Sequence, residues 1–231
     1  MLSDIGGQSM LARTYQVAVD AGCGPVVVLT DAEEVAAEAE AFGAPVIMTA
    51  PELESGTARI ASVVDRLEAD IIVNLQGDAP LTDPGVVARS VEEAERSGAP
   101  VTMPVFRIAS SRQLFDPNVV KVVRGRNGHA LYCSRTPIPY LRDADAGSWA
   151  GANRFWAHPG LYAYRREFLL AFSDLPPSAL EDAERLEQLR WLDAGLWLHT
   201  FEVKPQGPSV DTHADLERVR AIVLSGVAPR S

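Results

Sequence analysis

The chain has 231 residues, 47% hydrophobic and 23% charged, and its 21 basic and 31 acidic side chains give a net charge of −10. That length and balance describe a globular chain with a sizeable core. They argue against a disordered or fibrous protein and against a general nucleic-acid surface, which would carry a basic stripe. In chain order, residues 8–21 place Met10, Leu11, Tyr15, Ala18 and Val19 at helical spacing and stop at Gly22. Residues 25–30 read as a buried strand. Asp31 and Glu34 read as a capping box for a helix running to about Phe42. A short strand over 46–49, a loop over 50–56, a helix over 57–67, a strand over 70–75 and a helix over about 84–97 follow. This alternation predicts a parallel sheet covered by helices on both faces. Such a sheet ordinarily opens with a strand whose following loop holds phosphate. Here the first helix has no strand before it, and the expectation is a chain shortened at its start.

After Ala99 the pattern changes. Strands are predicted over 101–108, 119–123 and 130–133, with a turn at Gly125–Gly128 between the last two. Residues 143–153 are polar and read as a mobile loop. A strand over 155–164, a strong helix over 178–192, a strand over 197–203 and a closing helix over 214–224 complete the chain, and the last six residues are expected to fray. The whole, 1–231, reads as one domain with an antiparallel portion at about 99–205. Cys23 and Cys133 lack metal-like spacing and are expected as small buried hydrophobes. No apolar run reaches membrane-spanning length, and no secretory signal opens the sequence, so a reducing cytoplasm is the expected setting.

Chemistry-bearing residues gather at element ends. The strand over 70–75 empties into Gln76, Gly77 and Asp78, where open α/β sheets bind ligands. A second carboxylate, Asp211, stands just before the last helix. Two such groups suit a divalent cation shared with phosphate oxygens. Each also fits a plain structural role: an Asx-type turn at Asp78 and a helix N-cap at Asp211. The run Glu54-Ser55-Gly56-Thr57-Ala58-Arg59 brings backbone N–H groups, hydroxyls and an arginine to a helix start, suiting ribose, base or phosphate contact. It also fits an N-cap followed by a surface arginine. By spacing alone His158 would be a partly buried strand histidine, and Glu187 and Gln188 a solvated helix face. His129, His199 and His213 read as surface or packing residues.

Several motifs occur in one order: L-x-D-I-x-G-x-x-M, E-S-G-T-A-R, I-V-N-L-Q-G-D-A-P, N-x-V-K-V-V, A-L-Y-x-S-R-x-x-I-P, H-x-G-L-Y-x-Y, L-E-Q-L-R and V-D-T-x-x-D-L-E-R-V. The ordered set, from Leu2 to Arg220, resembles the 3-deoxy-manno-octulosonate (Kdo) cytidylyltransferases, which make CMP-Kdo. The resemblance implies a three-layer α/β fold of the nucleotide-diphospho-sugar transferase type, with a mixed, mainly parallel sheet and a small antiparallel lobe over the sugar. It implies that Ser55, Gly56, Thr57 and Arg59 hold the CTP base and ribose, and that Asp78 and Asp211 bind Mg²⁺ and serve catalysis. It also implies that Gln76, Arg135, His158, Tyr162, Glu187 and Gln188 surround Kdo. CMP would pass from CTP to the sugar for lipopolysaccharide synthesis, and the lobe could pair two copies as a homodimer.

The sequence departs from the family in lacking the opening strand with its basic triphosphate loop, in carrying Ala79 where many relatives have Glu, and in following His158 with Pro159. Two alternatives stay open at this point. One is a cytidylyltransferase for another acidic sugar, such as an amino-Kdo or a sialic-acid-like donor; the other is a nucleotide- or sugar-binding pseudoenzyme.

Overall fold

Helices and strands alternate through the first hundred residues: α1 (Met10–Asp20), β1 (Val28–Thr30), α2 (Glu33–Ala41), β2 (Val46–Met48), α3 (Gly56–Ala61), β3 (Ile71–Asn74), α4 (Pro84–Ser97) and β4 (Val101–Arg107). Then come α5 (Ser111–Phe115), β5 (Val120–Arg124), β6 (Ala130–Ser134), β7 (Trp156–His158), β8 (Tyr162–Arg165), α6 (Arg166–Leu170), α7 (Ala179–Glu184), α8 (Glu187–Asp193), β9 (Leu198–Glu202) and α9 (His213–Ser225). The structure, a computed structural model, describes residues 1–225, so the fraying expected of the last six lies outside the described residues.

Helix ends follow local chemistry. Ser9 caps α1, its hydroxyl accepting from the Ala12 N–H at 3.2 Å. On α4, Asp83 caps the first turn, Pro84 sits at the first helical position and Gly98 closes the helix at φ 69°, a left-handed conformation glycine adopts freely. The capping box expected at Asp31 does not form. Ala32 is the N-cap of α2 and makes no side-chain cap, because Asp31 pairs instead with Arg59 at 3.3 Å.

The strands form two sheets. β1 and β2 pair in parallel, while the larger sheet runs β3-β8-β4-β7-β5-β6 with β9 also on β4. The fold is mixed α/β, but the mainly parallel pairing expected is corrected. Parallel ladders occur at β1–β2 and β4–β9, and the other ladders are antiparallel: β5 and β6 form a hairpin, and the returning strands β7 and β8 lie against β3, β4 and β5. β4 sits among β7, β8 and β9 and is buried from Val101 to Phe106, the continuous apolar run of a strand covered on both faces. The main core joins Val101, Met103 and Val105 to Tyr164, Phe168, Leu189, Trp191 and Leu198. Full burial of a side chain such as Leu189 contributes about 2 kcal/mol. Among the described residues no helix is long and apolar enough to cross a membrane.

Four further expectations are corrected. Residues 143–153 hold a 3-10 helix, Ala146–Ala152, pinned by buried Trp149, whose Nε1–H donates to the Ala144 carbonyl at 3.0 Å. The single strand expected over 155–164 is broken into β7 and β8 at Pro159-Gly160, with Gly160 at φ 82°. The single helix expected over 178–192 is broken into α7 and α8 by Arg185, held left-handed at φ 52°. Cys23 is exposed, since it lies in the turn between α1 and β1, whereas Cys133 is buried. The short helices α5 and α6 had no counterpart in the sequence reading.

Candidate active site

Two loops bring the carboxylates together. β3 delivers Asp78 through a turn closed by Ala79 N–H on the Gln76 carbonyl at 3.1 Å, and the Val210 N–H donates to the Asp78 carbonyl at 2.9 Å, tying the Asp211 loop alongside. Burial, and then the neighbouring charge of Asp211, pushes the Asp78 carboxyl above its ordinary value. The helix cap of α9 is Thr212, which exchanges hydrogen bonds with Asp215 and accepts the Leu216 N–H on its carbonyl. Asp211 is thereby left out of capping, with the Ser209 hydroxyl at 3.3 Å as its side-chain contact. A half-buried carboxylate, Asp78, beside an exposed one, Asp211, that repels it fits a divalent cation. Among the described residues no group of three or more His, Cys, Asp or Glu forms a metal cluster, so phosphate and water oxygens would complete such a site.

A cavity of about 800 Å³ lies between β1 and β3, and Ser55, Gly56, Arg59, Asn74 and Gln76 are among its lining residues. Ser55 caps α3, accepting the Ala58 N–H at 3.1 Å, so the N-cap reading holds for it. Arg59 is tethered to Asp31 and to the Thr49 hydroxyl. A Cβ on Gly56 would stand 3.1 Å from Asn74 Nδ2 and 3.2 Å from Gln76 Nε2, so glycine lets both amides approach the backbone here.

Thr57 is fully buried. Its hydroxyl lies 2.7 Å from the Tyr164 hydroxyl and donates to Glu187 Oε2 at 2.8 Å. The break before α8 makes Glu187 the first residue of that helix, which brings it to Thr57 rather than to a solvated face. Burial raises the Glu187 carboxyl, partly offset by the Ser55 and Thr57 hydroxyls, and its Oε1 is buried without a partner among the described residues. Gln188 is buried too.

The His158 ring meets Tyr162 tilted, at 4.5 Å between centroids, and Tyr162 stacks on Tyr164 at 5.7 Å. Burial holds the His158 imidazole down to about 4, so it is neutral near pH 7. Its Nδ1–H donates to the Pro104 carbonyl at 3.2 Å, leaving Nε2 as a buried acceptor without a partner among the described residues. Buried polar atoms are normally paired. His158 Nε2 and Glu187 Oε1 are among the unpaired buried polar atoms of the described residues, with Thr102 Oγ1, Arg165 Nε and Trp191 Nε1. Burial first, then the neighbouring Tyr164 and Glu187, raises the Tyr162 phenol well above its ordinary value.

Arg135 is engaged differently. Its Nε donates to the Glu184 carbonyl at 2.7 Å, Nη1 to Pro117 at 3.0 Å and Nη2 to Arg185 at 3.2 Å. The guanidinium grips the α7–α8 corner just before Glu187. The sequence reading missed Asn74 and Tyr164. Their signal was period two: Tyr162 and Tyr164 stand two apart on one face of β8, and Asn74, the last residue of β3, stands two before Gln76.

A family model described as cytidylyltransferase matches residues 1–200. A Vibrio campbellii 3-deoxy-manno-octulosonate cytidylyltransferase is 44% identical over 96% of this chain and 90% of its own length. The same-named Escherichia coli protein is 42% identical over 98% and 90%. A solved CMP:2-keto-3-deoxy-manno-octonic acid synthetase complexed with CTP superposes at a TM-score of 0.90 with 42% identity, covering 98% of this chain and 92% of that one. A Methanothermobacter nucleotidyl transferase shares the fold at TM-score 0.58 and 16% identity, over 98% of this chain and 85% of that one. The chain belongs to the 3-deoxy-manno-octulosonate cytidylyltransferase family.

Proposed function

We propose that this chain transfers CMP from CTP to Kdo. The anomeric hydroxyl oxygen of the sugar forms a bond to the α-phosphorus, the bond from that phosphorus to the β-phosphate bridging oxygen breaks, and pyrophosphate leaves. The observation that carries the reading is the likeness, over nearly the whole chain, to a CMP-Kdo synthetase solved with CTP. The paired carboxylates support it.

Asp78 and Asp211 would hold Mg²⁺, which when bound neutralises phosphate charge and lowers the pKa of the attacking hydroxyl. The protein's remaining share is positioning and electrostatics. Ser55, Gly56, Thr57 and Arg59 border the nucleotide side. On the sugar side, Gln76, Glu187, Gln188, Tyr162 and the neutral imidazole of His158 offer acceptors and donors to hydroxyl groups. Arg135 acts on the sugar through the α7–α8 corner that it holds. The reading places the protein in the cytoplasm, supplying an activated Kdo donor for lipopolysaccharide synthesis. Pairing of two copies through the lobe is supported by exposed Leu131 and Tyr140.

Pyrophosphate release with CTP, Kdo and Mg²⁺ tests the proposal. It should require all three, and Asp78→Asn should cost on the order of 10²-fold in kcat, the scale of losing one key electrostatic contact. Release without Kdo, wild-type rates in both Asp78→Asn and Asp211→Asn, or equal use of sialic acid would overturn it.

A further inference from the structure

Beneath the site five side chains, from β3 and the residues just past it, from β8 and from the helices α3 and α8, are linked in a row. Gln76 Nε2 lies 3.2 Å from Asn74 Oδ1, Asn74 Nδ2 lies 3.4 Å from the Tyr164 hydroxyl, and that hydroxyl lies 2.7 Å from Thr57 Oγ1. Thr57 Oγ1 in turn lies 2.8 Å from Glu187 Oε2. The direction of the whole row follows from its last member. A carboxylate only accepts, so the single Thr57 hydroxyl hydrogen goes to Glu187. Thr57 must then accept from Tyr164, whose one hydrogen is spent, so Tyr164 accepts from Asn74. Asn74 therefore turns its NH₂ to Tyr164 and its carbonyl to Gln76. Gln76 must answer with its own NH₂, which leaves its carbonyl, Oε1, outside the row, on a residue that lines the cavity.

We propose that Tyr164 is a positioning residue for the sugar, the middle link of this one-way row, which fixes the Gln76 amide so that it offers the ligand an acceptor. The inference rests on the reading that Gln76 and Glu187 meet Kdo. It specifies what Gln76 selects: a hydroxyl donor on the sugar. Tyr164 is suited to the part because its ring is fully buried against Tyr162, Phe168 and Trp191, so its hydroxyl has one fixed location. Gly56 serves the same end, since a Cβ there would push on both amide nitrogens of Asn74 and Gln76.

Tyr164→Phe keeps the ring and cuts the row. It should raise the KM for Kdo about tenfold, the equivalent of roughly one well-placed hydrogen bond, while the KM for CTP stays within about twofold. Thr57→Val, which cuts the row one link further on, should likewise raise the KM for Kdo, and Thr57→Ser, which keeps the hydroxyl, should lower it again. Adding Tyr164→Phe to Gln76→Ala should cost nothing further in the KM for Kdo, because the link has already lost its reader. An independent readout needs no sugar: the Gln76 side-chain amide resonances of the free protein should shift in Tyr164→Phe. Unchanged Gln76 resonances, or additive losses in the double variant, would overturn the positioning role. A wild type that binds and uses no Kdo would overturn the sugar reading, and the role with it, even where the resonances shift.

Discussion

Arg135→Lys separates a residue that holds the protein from one that holds the sugar. Arg135 spends Nε, Nη1 and Nη2 on the carbonyls of Glu184, Pro117 and Arg185. A lysine keeps the charge but concentrates its donors at one point, so it can reach about one of these carbonyls. Two charge-assisted bonds are then lost. Each is ordinarily worth about 1.5–3 kcal/mol, and partial exposure of the outer two reduces this to about 1 kcal/mol each. A total near 2 kcal/mol lowers the melting temperature by about 4–8 °C in a chain of this size. The corner at Arg185 lies two residues before Glu187, so the KM for Kdo should rise more than the KM for CTP. Scanning fluorimetry and pyrophosphate release with each substrate varied in turn would read both effects. A variant with wild-type melting temperature and a raised KM for Kdo would refute the clamp and return Arg135 to direct contact with the sugar carboxylate.

Thr212→Ala removes the cap of α9 and should cost about 1 kcal/mol in urea denaturation, while kcat holds because Asp211 takes no part in capping. Stability should also fall with acid through His158. Its folded value near 4 lies below the ordinary 6.5, so below pH 6.5 the unfolded chain takes up a proton that the folded one refuses until about pH 4. The loss across that window is roughly 3 kcal/mol, and His158→Gln, compared with wild type by denaturation at pH 7 and pH 5, should flatten it.

Where the sequence read well, local chemistry and packing agreed. α4 is legible residue by residue because Asp83, Pro84 and Gly98 each mark its ends. The placement of Asp78 and Asp211 was legible because each stands at an element terminus, Asp78 past the end of β3 and Asp211 just before α9. What failed to show was tertiary. Asp31 looked like a cap until Arg59, distant in sequence, took its carboxylate. The helical pattern over 178–192 is continuous in apolar spacing, and only the left-handed Arg185, held by Arg135 just past β6, breaks it. The balance of parallel and antiparallel strands was hidden for the same reason, since hydrophobic runs do not encode which neighbour a returning strand will choose. Tyr164 and Asn74 carried a period-two signal, but their linkage needs Thr57 and Glu187 brought from two helices.

The grip of Arg135 on Pro117 and Arg185 is made wholly to main-chain oxygens. Such a contact is blind to the side chain of the residue that supplies it. Position 117 is therefore free to drift under mutation so long as its backbone path survives, whereas position 185 is limited by its left-handed φ of 52°, which favours glycine and asparagine, and not by any demand of Arg135 on its side chain. Position 135 should accept almost no other residue in a saturation scan. Tolerance at one end of a contact and intolerance at the other is the mutational signature of a side chain that reads backbone, and it would set Arg135 apart from a residue paired with another side chain, where both ends are constrained together.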